Sequence, residues 1–443
     1  MPDAPHRIAV VGGGLAGLEA AVAAAGSGAV VEVFEAGPRT RTRHVDWDTG
    51  THAGDEKVQP WTSDGWGAGG GLSERLGGRS LCWHGVLLGL EPAALADWDP
   101  EWSGRLAGAD GCYSAVLSDL LADFPELAAI GSHPGLAACG LRPVPQAARL
   151  DAHGRFEAYS PLARALELGA EGRIRFTHGR VRAVTPERDG VAVDVGTQRR
   201  RGFDSCVLAS SAIGNARLLA TSLDRDLATT VTDHFCVGGF VRLPPGPPIA
   251  PFRHRMLWSG FAEVPEIGTN VFVLERPPLP GGDRLVQIQA VIEQPAPYSE
   301  LTVEASGRTH VRARVSDADR ALLKAARVEV RRRAERLAGG PVTDLAPDTS
   351  SDTPWSGHDD ALAAVAGAAA GAYCRYDVPY GSFEHEACTH PIGGGPVEVS
   401  RGLEVVELPG VYVVGPGTFP RLGAANPALT IIAMSRWLGE RLS

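Results

Sequence analysis

The chain is poor in the features that define several large functional classes. Its seven cysteines, Cys82, Cys112, Cys139, Cys206, Cys236, Cys374 and Cys388, form no CxxC pair and no regular spacing. An odd, scattered set of this kind fits free thiols in a reducing cytoplasm rather than a disulfide framework. There is no HExxH segment, no zinc-type Cys/His cluster and no phosphate-binding P-loop, so no metal site is expected. Positive charge is in deficit: 42 Lys and Arg against 52 Asp and Glu give a net charge of −10. That balance argues against nucleic acid or an anionic membrane as partner. No uninterrupted apolar run reaches the length of a membrane span. MPDAPHR leads straight into an apolar strand, without the basic and then apolar pattern of a secretory signal. What remains is an ordered globular chain of 443 residues, 44% hydrophobic, long enough for two or three domains.

Glycine is abundant, and near the start it falls into an informative order. Ile8 to Val11 form a continuous apolar run, as in a central parallel strand. Gly12, Gly14 and Gly17 then give GxGxxG, followed by an alanine-rich helix and a second strand, Val30 to Phe34, ending in Glu35. Gly12 permits the tight turn, Gly14 lets backbone approach a pyrophosphate, and Gly17 lets the helix pack close to the strand. The helix N-terminus supplies free amides for the phosphate, and Glu35 is placed to accept hydrogen bonds from a ribose diol. A nucleotide-free α/β layer explains the glycines but gives Glu35 no task. The segment 62 to 85, TSDGWGAGGGLSERLGGRSLCWHG, has enough glycine to lie against a large cofactor, which favours FAD over NAD. Its alternative is a surface loop.

In the middle of the chain, RIRFTHGRVRAV (173 to 184) reads as strands with exposed arginines, and Gly190 to Val195 begins a hairpin turning back at 196 to 202. Arg199, Arg200 and Arg201 read as a solvated turn. SCVLASSAIGNARLLATS is a buried strand running into a helix near Ile213. From 236 to about 315, short alternating segments separated by proline-rich loops predict an antiparallel sheet, a wall suited to a substrate cavity. Ser316 and Asp319 form a capping box for a long helix whose VEVRRRAERL charges read as its wet face. Residues 341 to 358 read as loop, and DDALAAVAGAAAGAYC as helix.

Near the end, Asn426 suits an N-cap and Pro427 the first helical position. Such a helix end offers positive potential where negative charge develops on a flavin. His385 lies in a stretch rich in small residues, and a histidine with a pKa near neutrality suits a base that takes a hydroxyl proton. His84 and His390 compete for that role.

These residues together resemble the glucose–methanol–choline (GMC) oxidoreductases, in particular the branch around pyranose oxidase. The family's H-x-x-G-T-x-x-M-G segment is matched by His385-Glu-Ala-Cys388-Thr389-His-Pro-Ile392-Gly393. Its V-F-P-T and N-P-T-L-T segments are matched by Thr418-Phe419-Pro420-Arg421 and Asn426-Pro427-Ala428-Leu429-Thr430. A-G-A-I-x-x-P-R-L-L resembles Ser210 to Leu219, a D-H pair resembles Asp233-His234, and a GG-x-S segment resembles Gly77-Gly78-Arg79-Ser80. The region 236 to 380 carries little that matches. Cys388 stands in place of a glycine and Ile392 of a methionine, so the local backbone is expected to differ. Ser80-Leu81-Cys82-Trp83 stands where pyranose oxidase has S-T-H-W with a flavin-linked histidine, so a dissociable FAD is expected.

The resemblance implies an α/β fold: a Rossmann-like FAD-binding domain from 1–95, 165–235 and 405–443, a connecting segment 96–164, and an α+β substrate-binding domain, 236–404, on an antiparallel sheet. It implies FAD held by Gly12, Gly14, Gly17, Glu35, Gly77, Gly78, Ser80, Trp83, Val181 and Pro427. His385 is the implied base and Asn426 the second polar group on the substrate hydroxyl, with hydride passing to flavin N5. The expected activity is oxidation of a primary or secondary alcohol on a sugar, glycoside, cyclitol or hydroxylated secondary metabolite, with oxygen or another electron acceptor. Desaturation, lyase chemistry or NAD(P)H-dependent hydroxylation on the same scaffold stay open, as does a non-catalytic flavin protein.

Overall fold

The computed structural model describes residues 5–39, 42–44, 57–67, 71–124, 133–345 and 357–443. β1 (Arg7–Val11), α1 (Leu15–Gly26) and β2 (Val30–Glu35) form the opening βαβ unit, and β3 (Ile174–His178) and β4 (Ser205–Leu208) extend its layer, with α2 (Ala212–Leu223) following β4. The substrate-side sheet then takes β5 (Phe235–Leu243), β6 (Gly260–Val264), β7 (Thr269–Glu275) and β8 (Arg284–Ile292), a long helix α3 (Asp317–Ala338), β9 (Thr343–Asp344) and β10 (Ala372–Val378). The chain returns to the first layer through β11 (Val411–Val413) and α4 (Ala428–Arg441).

The first layer is a parallel sheet in the order β11-β4-β1-β2-β3, with Val11 opposite Leu208 on one side and Phe34 on the other. Its central strand is buried on both faces, which is why Ile8–Val11 reads as unbroken apolar sequence. Gly12 takes φ +105°, and a Cβ on Gly17 would collide with the Gly12 carbonyl, so both glycines do the turning and packing work expected of them.

The second sheet has the order β6-β7-β8-β5-β10-β9 and is antiparallel except between β9 and β10. Period-two alternation divides it. Val237, Val241, Ile288 and Ala290 pack against Ala326, Val330 and Ala334 of α3, whereas Phe272, Leu274, Gln287, Gln289 and Tyr376 face a cavity on the other side.

Several local expectations hold and others need correcting. Ser316 and Asp319 make both bonds of the capping box. The charges of α3 are not all wet: Glu329 and Arg333 pair at 2.8 Å while largely buried. Arg199 to Arg201 lie within the strand Gln198–Phe203, not in a turn, and pair with Glu187, Asp194 and Glu32. The helix expected through 374 ends at Gly367, and Ala372 starts β10, because Tyr373, Cys374 and Tyr376 alternate into a sheet position. Most of the loop-like stretch 341 to 358 lies outside the described residues. All seven cysteines are free. No helix among the described residues is long and apolar enough to cross a membrane, and no three or more His, Cys, Asp or Glu among them are grouped to hold a metal ion.

α1 and α4 pack closely through small residues: a Cβ on Gly439 would meet the Ala20 carbonyl, with Ala23 Cβ at 2.8 Å and Ala24 N at 3.0 Å. Backbone cannot yield there. Gly439→Ala is therefore expected to destabilise by about 1–3 kcal/mol, seen as a lowered thermal midpoint; an unchanged midpoint contradicts this packing.

Candidate active site

One cavity of about 1280 Å³ runs between the two sheets, larger than the roughly 300–1,000 Å³ of an ordinary small-ligand pocket. Its dinucleotide end is built by the β1–α1 turn. Gly14 lines it, and nothing lies within 4 Å of where its Cβ would be, so backbone amide is open to a ligand. Glu35 accepts the Gly13 amide on Oε2 and the Gly37 amide on Oε1, both at 2.8 Å. Burial raises its pKa, against the pull of those two bonds.

Of the expected cofactor residues, Gly12, Gly14, Glu35, Gly78, Ser80, Trp83, Val181 and Pro427 line this one cavity. Gly17 and Gly77 stand behind it. Gly77, at φ +97°, donates its amide to the Gly13 carbonyl at 2.8 Å and so clamps its loop to the GxGxxG turn. Ser80 is tied to the Gly77 carbonyl and to Ser160 Oγ, each at 2.7 Å. Trp83 is held through Nε1 on the Tyr159 carbonyl at 2.7 Å.

His385 and Asn426 also line the cavity. Asp233, fully buried, fixes the His385 segment by accepting four amides: Phe383 at 3.0 Å, Glu384 at 3.2 Å, His385 at 2.9 Å and His234 at 2.8 Å. Arg79 adds a second clamp. It pairs with both oxygens of Glu386 at 2.6 and 2.9 Å and donates to the Glu384 and Gly71 carbonyls, joining the cofactor loop to the histidine segment.

The imidazole of His385 has its tautomer dictated from behind. His234 Nε2 lies 2.8 Å from the Gly423 carbonyl, which only accepts, so Nε2 carries the proton. His234 Nδ1 is then an acceptor for His385 Nδ1–H at 2.8 Å. This leaves His385 Nε2 as an unprotonated nitrogen for the cavity. Burial pushes His234 down to about 4, and burial, then His234 and Arg79, holds His385 well below its usual value. Both rings are neutral near pH 7.

The helix start differs from expectation. α4 begins at Ala428, Pro427 takes the cap position with φ −72°, and no side chain caps the helix. Asn426 is freed from capping; its Oδ1 is buried with no partner among the described residues. A buried amide end without a protein partner is left for a ligand. Cys388 takes a left-handed backbone, φ +63°, which costs a residue other than glycine about 1–2 kcal/mol. His390 bonds Thr389 Oγ1 at 2.7 Å and is absent from the cavity lining, so it is no rival to His385. His84 lines the cavity, its pKa lowered to about 4 by burial and then by His44.

Comparison with known proteins bears on family and fold. Residues 297–435 match the family model described as GMC oxidoreductase, and residues 7–56 match the model of the pyridine nucleotide-disulphide oxidoreductases. No curated protein matches the chain in sequence. The solved pyridoxine 4-oxidase from Mesorbium loti shares the fold, with a TM-score of 0.63 at 17% identity over 98% of this chain and 99% of that one. The resemblance stated from the motifs is borne out: residues 297–435 carry the GMC oxidoreductase match and the whole chain shares the fold of a solved oxidase, and FAD is the cofactor that this resemblance implies. The open backbone at Gly14, the carboxylate of Glu35 and the unpartnered amide of Asn426 fit that cofactor and its substrate.

For His234 and His385 the linkage has one sign. Unfolded, each protonates near its ordinary value of 6.5; folded, His234 does so near about 4 and His385 well below 6.5. Their share of the stability is complete above pH 6.5 and lost as pH falls toward 4. NMR titration of the histidine ring protons should show these two unchanged from pH 7.5 to about 5.5; a midpoint near 6.5 for either contradicts the assignment.

Proposed function

We propose that this protein oxidises a primary or secondary alcohol to an aldehyde or ketone, on a sugar, glycoside, cyclitol or hydroxylated secondary metabolite. The observation that carries the reading is the His385 ring, neutral and fixed with Nε2 free, in the same cavity as the unpartnered Asn426 amide. FAD, when bound, would supply the two-electron acceptor for the hydride of the alcohol carbon. Gly12, Gly14, Gly78, Glu35 and Val181 would hold it, together with Ser80, Trp83 and Pro427. His385 Nε2 takes the hydroxyl proton, and Asn426 Nδ2, a donor, holds the oxygen in line with it. The first turn of α4, entering the cavity at Pro427 and Ala428, offers amides and positive potential where negative charge accumulates.

Electrons leave to oxygen or another acceptor. FAD is held without a covalent link, Cys82 standing at the position of a flavin-linked histidine with its thiol turned to the Arg79 carbonyl at 3.4 Å. Seven free thiols suit a cytoplasmic setting.

The test is anaerobic bleaching of the oxidised flavin band by a panel of sugars, glycosides, cyclitols and simple alcohols. With a compound that bleaches the wild type, His385→Ala should keep its FAD and slow reduction by about 10²–10⁴-fold. A His385→Ala protein that binds FAD and is reduced at the wild-type rate overturns the assignment.

A further inference from the structure

The cavity continues beyond His385 along the open face of the second sheet, and its floor holds a chain of hydrogen bonds with one direction. Arg276, which can only donate, gives Nη2–H to Gln287 Oε1 at 3.2 Å. The Gln287 amide is thereby oriented, and its Nε2 donates to Tyr376 Oη at 2.8 Å. Tyr376 Oη–H donates to Gln289 Oε1 at 3.0 Å, an oxygen that Gln287 Nε2 also approaches at 3.4 Å. The chain ends at Gln289 Nε2, a donor for which the described residues provide no acceptor.

This arrangement is built, not incidental. Gln287 is 5% exposed and Tyr376 1%. Tyr376 reaches across β5 only because Gly238 lies beneath it: a Cβ there would run into the phenol ring and its oxygen. Gln289, Gly238, Tyr376 and Phe272 share one rung of the sheet. That rung lies four residues along β5 from His234, on the order of 13 Å at 3.3 Å per residue, so one small molecule can reach both ends. Trp258, its ring 5.3 Å from that of Phe272, gives the intervening wall an apolar, aromatic face.

We propose that this floor is a second recognition site for the substrate: Gln289 Nε2, polarised through Tyr376 and Gln287 from the Arg276 guanidinium, binds a carboxylate carried at the far end of a ring-bearing alcohol. Every bond in the chain places a donor toward the ligand, so an anionic oxygen acceptor gains both the terminal N–H and the field of the guanidinium. A cationic or donor-only group meets the same dipoles reversed. This rests on the reading of the cavity as an alcohol-oxidising site.

The probes are 4-methylbenzoate and 4-methylbenzylammonium, neither an alcohol, titrated into the FAD-loaded protein and followed by perturbation of the oxidised flavin spectrum. The benzoate should bind roughly tenfold or more tightly than the ammonium compound. Gln289→Leu, and to a smaller extent Tyr376→Phe, should remove that preference while leaving FAD content unchanged. Equal affinities, a preference for the cation, or a preference that survives in FAD-loaded Gln289→Leu would overturn the proposal. Anaerobic mixing with 4-(hydroxymethyl)benzoate separates the two readings. Tight, Gln289-dependent binding without bleaching sustains the subsite and counts against alcohol oxidation; bleaching by it and by benzyl alcohol with equal apparent affinity does the reverse.

Discussion

The bond from His234 Nε2–H to the Gly423 carbonyl decides the chemistry of the cavity, because a carbonyl oxygen cannot donate. Once that proton is assigned, His385 must carry its own on Nδ1, and the nitrogen facing the cavity must be basic. Much of the surrounding architecture keeps this carbonyl where it is. Arg421 makes a bidentate pair with Glu293 at 2.6 and 2.8 Å. The Gly423 amide donates to Glu293 and the Ala424 amide to Glu91, whose other oxygen takes Asn270 Nδ2. Residues from four distant parts of the chain thus anchor the loop that leads into Asn426 and α4. Removing one member would leave a buried charge or carbonyl unpaired, the expensive way to lose a hydrogen bond.

The two sheets divide the labour. The parallel layer presents backbone, through its glycine turn and helix end, to a ligand that is mostly phosphate and ribose. The antiparallel sheet presents side chains, and its alternation puts the apolar set on α3 and a mixed aromatic and polar set toward the cavity. Arg79 and Asp233 stitch the layers together, so that the loop carrying Arg79 and the His385 segment are held as one unit.

How much of this was legible depended on how far apart the partners lie in sequence. The GxGxxG turn, its helix and Glu35 lie within 24 residues, and local spacing alone conveys their geometry. His385 stood out only through the family resemblance, since nothing in its neighbours marks a base. The role of His234 was hidden because its two partners lie 151 and 189 residues away. Asn426 lines the cavity but does not take the cap expected of it, because an Asn-Pro pair before an apolar run reads as a helix start one residue early. The Gln289–Tyr376 floor needs strand pairing and parity, which single strands do not disclose. Cys388 shows the converse: a residue ill suited to its backbone angle held there by buried surroundings.

The most direct test is the tautomer of His385 itself. In protein with ¹⁵N-labelled histidine at pH 7, the ring nitrogens of His385 and His234 can be assigned by comparison with His385→Ala and His234→Gln. The account predicts that His385 is protonated at Nδ1 and bare at Nε2, and that His234 is protonated at Nε2 and bare at Nδ1. An imidazolium at His385, or a proton on its Nε2, would contradict it, because that nitrogen could no longer receive the proton of an alcohol.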